Sequence, residues 1–161
     1  MNLLELALKM EMEGNAYYKK LASETIVPGL KTIFTNLAMD EQKHYETISK
    51  MWEGVTLAMA DSNILEGAKN VFQELLKDQQ IADSMKKSLD GYQHAMKIEA
   101  DSVKLYEEMA GKENDPERRN LILQIRDEEQ KHYNIMGNLY DFTLEPEYFL
   151  AWREFSNLKE L

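Results

Sequence analysis

The sequence predicts an all-α fold, in which four long helices form two antiparallel hairpins with a long crossover between them and a short C-terminal helix after them. Four long segments carry apolar residues at the helical period of 3.6 residues. Only seven glycines and three prolines occur among the 161 residues, so few residues interrupt these segments. Short links within each pair of segments indicate antiparallel neighbours, whereas the long connection between the pairs indicates a crossover.

The first hairpin is predicted over about residues 3–53. Its first helix runs from about Leu3 to Ser23 and ends at the Val27-Pro28-Gly29 break. A proline disfavours helical backbone in the residue before it and is well suited to the first turn of the next helix. The second helix therefore follows directly, from about Leu30 to Trp52.

The crossover is predicted over about residues 54–79, with a short helix capped by Asn63 and extending through Leu76. The second hairpin follows over about residues 80–140. Its first helix runs from about Ile81 to Ala110.

Asp115 and Pro116 indicate where the last long helix begins, because aspartate is a favoured cap and proline is favoured at the first position. This helix runs to about Tyr140, and a short C-terminal helix is predicted at about 146–158. No flexible linker divides the chain, so residues 1–161 are expected to form a single domain.

One phrase, Glu-Gln-Lys-His-Tyr, occurs twice in the chain, 88 residues apart. The two copies contain Glu41-x-x-His44 and Glu129-x-x-His132, and this spacing places each carboxylate one turn from an imidazole on one helix face. The same offset relates Glu11 to Glu99. Two lone glutamates and two Glu-x-x-His pairs are the ligand set with which a helical bundle holds two metal ions.

The position of each acid in the apolar pattern separates candidate ligands from solvated carboxylates. Glu11 and Glu99 lie on apolar stripes, whereas Glu13 lies at helical spacing from lysines. Glu41 and Glu129 also share apolar stripes with their neighbours. Two adjacent acids, Asp40 and Glu128, are predicted to lie beside them on the wetter face.

Four ionised glutamates facing a core are costly unless positive charge compensates them. Two divalent cations supply four charges, which makes the set formally neutral. Carboxylate oxygens combined with two imidazoles suit iron or manganese better than calcium, and zinc is a realistic substitute.

Composition excludes other classes of site and partner. The chain contains no cysteine, so disulfides, thiolate zinc sites and iron–sulfur centres are excluded. Its formal net charge of −10 makes a nucleic-acid partner unexpected. No signal peptide or membrane span is recognisable, and we expect a cytoplasmic location with no membrane partner.

The chain resembles the rubrerythrin-type branch of the ferritin-like superfamily over nearly all of residues 3–140. The resemblance is carried by the following residues: Glu11, Tyr18, Leu21, Ala22, Glu41, His44, Glu99, Tyr106, Met109, Ala110, Glu129 and His132. It implies a ferritin-like bundle with a non-haem di-iron centre of the Fe–O–Fe type. Glu41 and Glu129 would bridge the irons, and Glu11 and Glu99 would be terminal ligands.

The implied chemistry is oxidation of the ferrous pair by hydrogen peroxide or dioxygen, with reduction of the oxidant to water. Two departures from the family pattern bear on this chemistry. Without cysteine the chain lacks the rubredoxin-like iron domain, so an external electron-donor protein is expected. Ser102 stands where typical rubrerythrins carry an additional glutamate ligand, which removes a carboxylate from their redox-linked ligand exchange.

Two tyrosines, Tyr18 and Tyr106, lie two turns from the glutamate on their own helix, which is too far to bond it. Each is predicted to donate instead to a ligand glutamate on another helix and so to orient that ligand.

His94 has no histidine equivalent in the duplication and is interpreted as a surface or boundary residue. The expected assembly is a homodimer.

Two other functions compete with a di-iron oxidoreductase. Ferroxidase activity linked to iron storage would require a shell-like assembly. A non-catalytic helical interaction module would bind no metal and would tolerate alanine at Glu41 and Glu129.

Overall fold

The computed structural model describes residues 2–56, 58–75 and 79–145, and the regular structure in these ranges is helical throughout. The α-helices, in chain order, are α1 Leu3–Glu24, α2 Pro28–Trp52, α3 Ile64–Leu75, α4 Gln79–Met85, α5 Leu89–Lys112 and α6 Pro116–Leu144. The predicted all-α fold is confirmed. The short C-terminal helix predicted at about 146–158 lies outside the described residues.

Local sequence signals set the helix starts. Asn2 and Glu5 form a reciprocal capping box at the start of α1, in which each side chain accepts a backbone N–H of the other residue. The Asp115 side chain accepts the backbone N–H of Arg118 at the start of α6. Pro28 and Pro116 occupy the first turns of α2 and α6.

The four long helices pair as two hairpins, α1 with α2 and α5 with α6, and α1 also packs against α5. The crossover helix α3 packs on α2 and inserts Phe72 into the core. In the described part of the chain, no helix combines the length and the apolar character that a membrane span requires.

The apolar core is divided into two clusters, with buried polar residues between them along each long helix. In α2, Leu37 belongs to the first cluster and Ile48 to the second. In α6, Ile135 belongs to the first and Ile125 to the second. The polar residues between these positions are therefore enclosed by apolar side chains on both sides.

Two helix boundaries differ from the prediction. The helix predicted from Ile81 to Ala110 is divided, because a short 3-10 turn at Lys86–Ser88 separates α4 from α5 and Ser88 has non-helical backbone angles. The last long helix extends to Leu144 rather than Tyr140, since Phe142 and Thr143 continue its buried stripe.

Candidate metal centre

The middle of the bundle brings six buried glutamates and histidines together from four helices. The contributing residues are Glu11 from α1, Glu41 and His44 from α2, Glu99 from α5, and Glu129 and His132 from α6. Their ligand atoms form two overlapping groups, each with three carboxylates and one imidazole. Glu41 and Glu129 belong to both groups.

The two shared glutamates each direct one oxygen towards each histidine. Glu129 places Oε1 at 3.0 Å from His44 Nδ1 and Oε2 at 3.4 Å from His132 Nδ1. Glu41 places Oε2 at 3.8 Å from His44 Nδ1 and Oε1 at 3.4 Å from His132 Nδ1. This is the arrangement that two bridging carboxylates require.

The remaining glutamates each lie near one histidine. Glu11 Oε2 is 3.5 Å from His44 Nδ1, and Glu99 Oε1 is 3.4 Å from His132 Nδ1. The two imidazole rings stack with their centroids 5.8 Å apart. The set thus has two equivalent halves that face each other across the shared carboxylates.

Two buried tyrosines hold Glu11 and Glu99, which we call the outer glutamates, and each tyrosine belongs to the hairpin opposite to its glutamate. The Tyr18 hydroxyl donates to Glu99 Oε1 at 2.5 Å, and the Tyr106 hydroxyl donates to Glu11 Oε1. Burial and the adjacent carboxylates raise the pKa of both tyrosines well above the ordinary value. Each hydroxyl therefore keeps its proton near neutral pH and remains a donor that orients its glutamate.

Two further acids, which the sequence pattern had assigned to the wetter face, contact the site histidines directly. Glu128 is only 2% exposed, and its Oε1 lies 2.9 Å from His44 Nε2. Asp40 Oδ2 lies 2.9 Å from His132 Nε2. The prediction is wrong for Glu128 and incomplete for Asp40, since the facing helix covers a position that is lateral on an isolated helix.

The sequence did contain a signal for these two acids. The 88-residue offset relates Asp40 to Glu128, and each directly precedes the glutamate of a Glu-x-x-His pair. With Nδ1 facing the carboxylate cluster and Nε2–H donating to an acid, each imidazole has the orientation of a metal-ligating histidine.

Lys43 of α2 and the crossover together hold Asp40 and Glu128 in place. Lys43 Nζ lies 3.0 Å from Glu128 Oε1 and 3.8 Å from Asp40 Oδ1, and it donates to the Ala60 carbonyl at 3.0 Å. The Ser62 hydroxyl donates to Asp40. The loop before α3 is thereby connected to both site histidines through one lysine and two acids.

Burial, followed by repulsion from neighbouring carboxylates, raises the pKa values of the two shared glutamates. Burial raises the pKa of Glu41 well above its usual range, and the nearby Glu129 and Glu99 raise it further. Burial likewise raises the pKa of Glu129, as do Glu11 and Glu99. The two shared glutamates therefore take up protons when no cation compensates them.

For the histidines, burial and the neighbouring carboxylates shift the pKa in opposite directions. Burial lowers the pKa of His44, but Glu11 and Glu129 outweigh it and hold this pKa well above the ordinary value. For His132 the pKa is also raised well above the ordinary value, because Glu99 and Asp40 outweigh burial. Without a bound cation, both histidines therefore favour the protonated form.

Several buried atoms of the site meet no hydrogen-bond partner in suitable geometry within the described residues. They are Glu11 Oε2, Glu99 Oε2, Glu128 Oε2, Glu129 Oε2 and His132 Nδ1. Unpartnered buried polar atoms are costly, and all of these except Glu128 Oε2 belong to the two groups described above. The donor set and its unsatisfied atoms fit two cations.

Gly14 and Ser102, which the 88-residue offset relates, lie one turn after the outer glutamates. A Cβ atom at Gly14 would lie 3.2 Å from Glu41 Cδ, so glycine leaves room for this shared carboxylate. Ser102 is buried and provides no carboxylate. The centre therefore has six candidate ligands, without a seventh from either position.

The family model for rubrerythrin matches residues 2–140. The chain belongs to the rubrerythrin family. A search of curated proteins and a search of solved structures find no match to it. Membership of the rubrerythrin family and the buried carboxylate–histidine cluster together fit a di-iron site.

Metal binding to this rubrerythrin-family centre is predicted to release protons. Ligating glutamates and histidines must be deprotonated, and the pKa values of Glu41, Glu129, His44 and His132 are all raised in the metal-free site. Affinity for Mn²⁺ should therefore increase as the pH rises towards these pKa values. Titration calorimetry in buffers of different ionisation enthalpy measures the release, and a binding enthalpy that is independent of the buffer would contradict the prediction.

Removal of the carboxylate of either Asp40 or Glu128 is predicted to weaken metal binding. Glu128→Ala or Asp40→Ala leaves one imidazole without its Nε2 acceptor, and such losses reduce metal affinity about 10- to 100-fold. Asp127→Ala is the matched control, because it removes the same charge from the exposed neighbour of Glu128. A Mn²⁺ titration compares the three variants, and an equal loss in Asp127→Ala would show that charge alone is responsible.

Proposed function

We propose that this chain is a non-haem di-iron oxidoreductase, in which hydrogen peroxide or dioxygen oxidises a ferrous pair and is reduced to water. The observation that carries the proposal is the pair of shared carboxylates, Glu41 and Glu129, each of which directs one oxygen to each half of the centre. A site for one structural ion does not need two shared carboxylates, whereas a site whose reaction uses two metals does need them.

The donor chemistry supports iron as the resident metal. Four carboxylates and two imidazoles form a hard, mixed oxygen–nitrogen set that suits Fe²⁺ and also accepts Mn²⁺ or Zn²⁺. Two dications would balance the four glutamate charges within a region enclosed by apolar clusters. When bound, the iron pair supplies the two electrons that cleavage of one peroxide bond requires.

The chain's own residues prepare the site for that chemistry. Glu11 and Glu99 are held by tyrosine hydroxyls from the opposite hairpin, while Asp40 and Glu128 fix the two imidazoles. Such oriented groups do not have to reorganise during a change of charge, which lowers the cost of the reaction. The unpartnered oxygen atoms of Glu11 and Glu99 are free of competing hydrogen bonds.

Anaerobic loading with Fe²⁺ followed by mixing with peroxide tests the proposal. About two iron ions should bind per chain, and peroxide should oxidise them more rapidly than dioxygen does. Glu41→Ala and Glu129→Ala should lose both binding and oxidation. Glu13→Ala, which removes an exposed acid from the helix that carries Glu11, is the matched control and should retain both.

The contrary results are equally specific. Binding of no iron, or iron uptake that survives in both Glu41→Ala and Glu129→Ala, would exclude the proposed centre. Rapid oxidation by dioxygen with growth of a mineral in a large particle would indicate a storage ferroxidase in place of a peroxide-reducing enzyme.

A further inference from the structure

We propose that four aromatic rings, His94, Tyr17, Tyr18 and His132, form the route by which electrons from a reduced carrier protein enter the metal centre. This inference rests on the proposed function, because that function consumes electrons and the chain has no cysteine with which to hold an iron–sulfur donor of its own. The route begins at the surface of the α1–α5 face and ends at a candidate metal ligand.

The rings follow one another closely. Tyr18 and His132 have centroids 6.5 Å apart in an edge-on arrangement, and Tyr17 and Tyr18 have the same separation. The Tyr17 ring lies 4.9 Å from that of His94. Electron transfer through a protein depends steeply on the distance of each step, so three short steps between rings favour this route over one long step from the surface.

The position of Tyr17 is fixed by a specific helix contact. Its hydroxyl donates to the Gly91 carbonyl at 2.8 Å, which connects α1 to α5. A Cβ atom at Gly91 would lie 3.2 Å from the same hydroxyl oxygen, so the glycine permits this close approach. The ring is therefore held between the surface and Tyr18 rather than free to turn into solvent.

The outer end of the route is open to a partner. His94 is exposed, and it lies with Tyr17 in a surface cavity of about 380 Å³. The cavity wall also carries Glu13, Lys97 and Asp101. A rim of both charges beside an accessible ring suits a brief, polar encounter with a small one-electron carrier protein whose redox group lies near its own surface.

The duplication distinguishes these rings from those that merely support the centre. Tyr18 has an equivalent in Tyr106, and both hold glutamates. The equivalents of Tyr17 and His94 are Leu105 and Leu6, which are apolar residues in the second-half and first-half helices respectively. The aromatic extension to the surface therefore exists on one side only, and symmetry of the ligand set does not require it.

One-electron carrier proteins satisfy the stoichiometry of peroxide reduction. Two reduced carrier molecules are each oxidised by one electron. The two electrons pass along the route, and together with two protons they convert one hydrogen peroxide to two waters.

A ruthenium polypyridyl label on His94 tests the route without any bound metal. His94 is the only one of the three histidines that is exposed, since His44 and His132 are fully buried. After flash excitation and removal of one electron by an added quencher, the oxidised label should draw an electron from the tyrosines. Electron paramagnetic resonance should then detect a tyrosyl radical, which forms as the phenol also releases its proton.

The variants identify the path. Tyr17→Phe, which keeps the ring and its packing, and Tyr17→Leu, which installs the residue found at the equivalent position, should both lose the radical. Tyr140→Phe, which alters a partly buried tyrosine elsewhere, should retain it. Absence of a radical in the unmodified sequence, or an equal signal in the Tyr17 variants, would overturn the proposal.

The same label tests the inward direction in the iron-loaded protein. Photoreduction of the oxidised centre should be at least about tenfold slower in Tyr17→Leu than in Tyr140→Phe, equivalent to about 1.4 kcal/mol in the barrier. Equal rates would overturn the route while leaving the proposed function intact. Conversely, a radical that depends on Tyr17 in a chain that binds no iron would support the aromatic path and refute the di-iron function.

Discussion

Burial of four glutamates in the centre of one bundle is the constraint on which the rest of this structure depends. Each carboxylate alone would be costly in an apolar interior, and together they repel one another. Burial first and this repulsion second raise the pKa values of Glu41 and Glu129, so both carboxyls favour the protonated form in the absence of cations. Bound cations would offset the cost of burying this cluster.

The two halves of the chain solve this problem reciprocally. Tyr18 and Tyr106 each donate to the outer glutamate of the opposite hairpin. Asp40 and Glu128 each contact the histidine of the opposite Glu-x-x-His pair. Neither hairpin alone therefore contains a complete half-site. The crossover adds a further restraint, because its Ser62 donates to Asp40 and its Ala60 carbonyl accepts from Lys43 of α2, which pairs with Glu128.

Helical periodicity was sufficient to predict the bundle, because the long segments are amphipathic and their ends carry proline or capping signals. It also predicted that Glu11, Glu41, Glu99 and Glu129 face inward. It failed for Glu128, whose position beside the apolar stripe is buried only through contact with the facing helix and Lys43. The short 3-10 turn before α5 is likewise invisible to a pattern that continues through it. Tertiary contacts determine both features.

Anomalous X-ray diffraction from crystals loaded with Mn²⁺ or Fe²⁺ tests the central claim most directly, since it locates metal ions independently of any activity. We expect two metal positions, one beside His44 Nδ1 and one beside His132 Nδ1. Glu41 and Glu129 should each contribute one oxygen to the first metal and the other oxygen to the second. A single metal position, or two positions that share neither glutamate, would contradict the account.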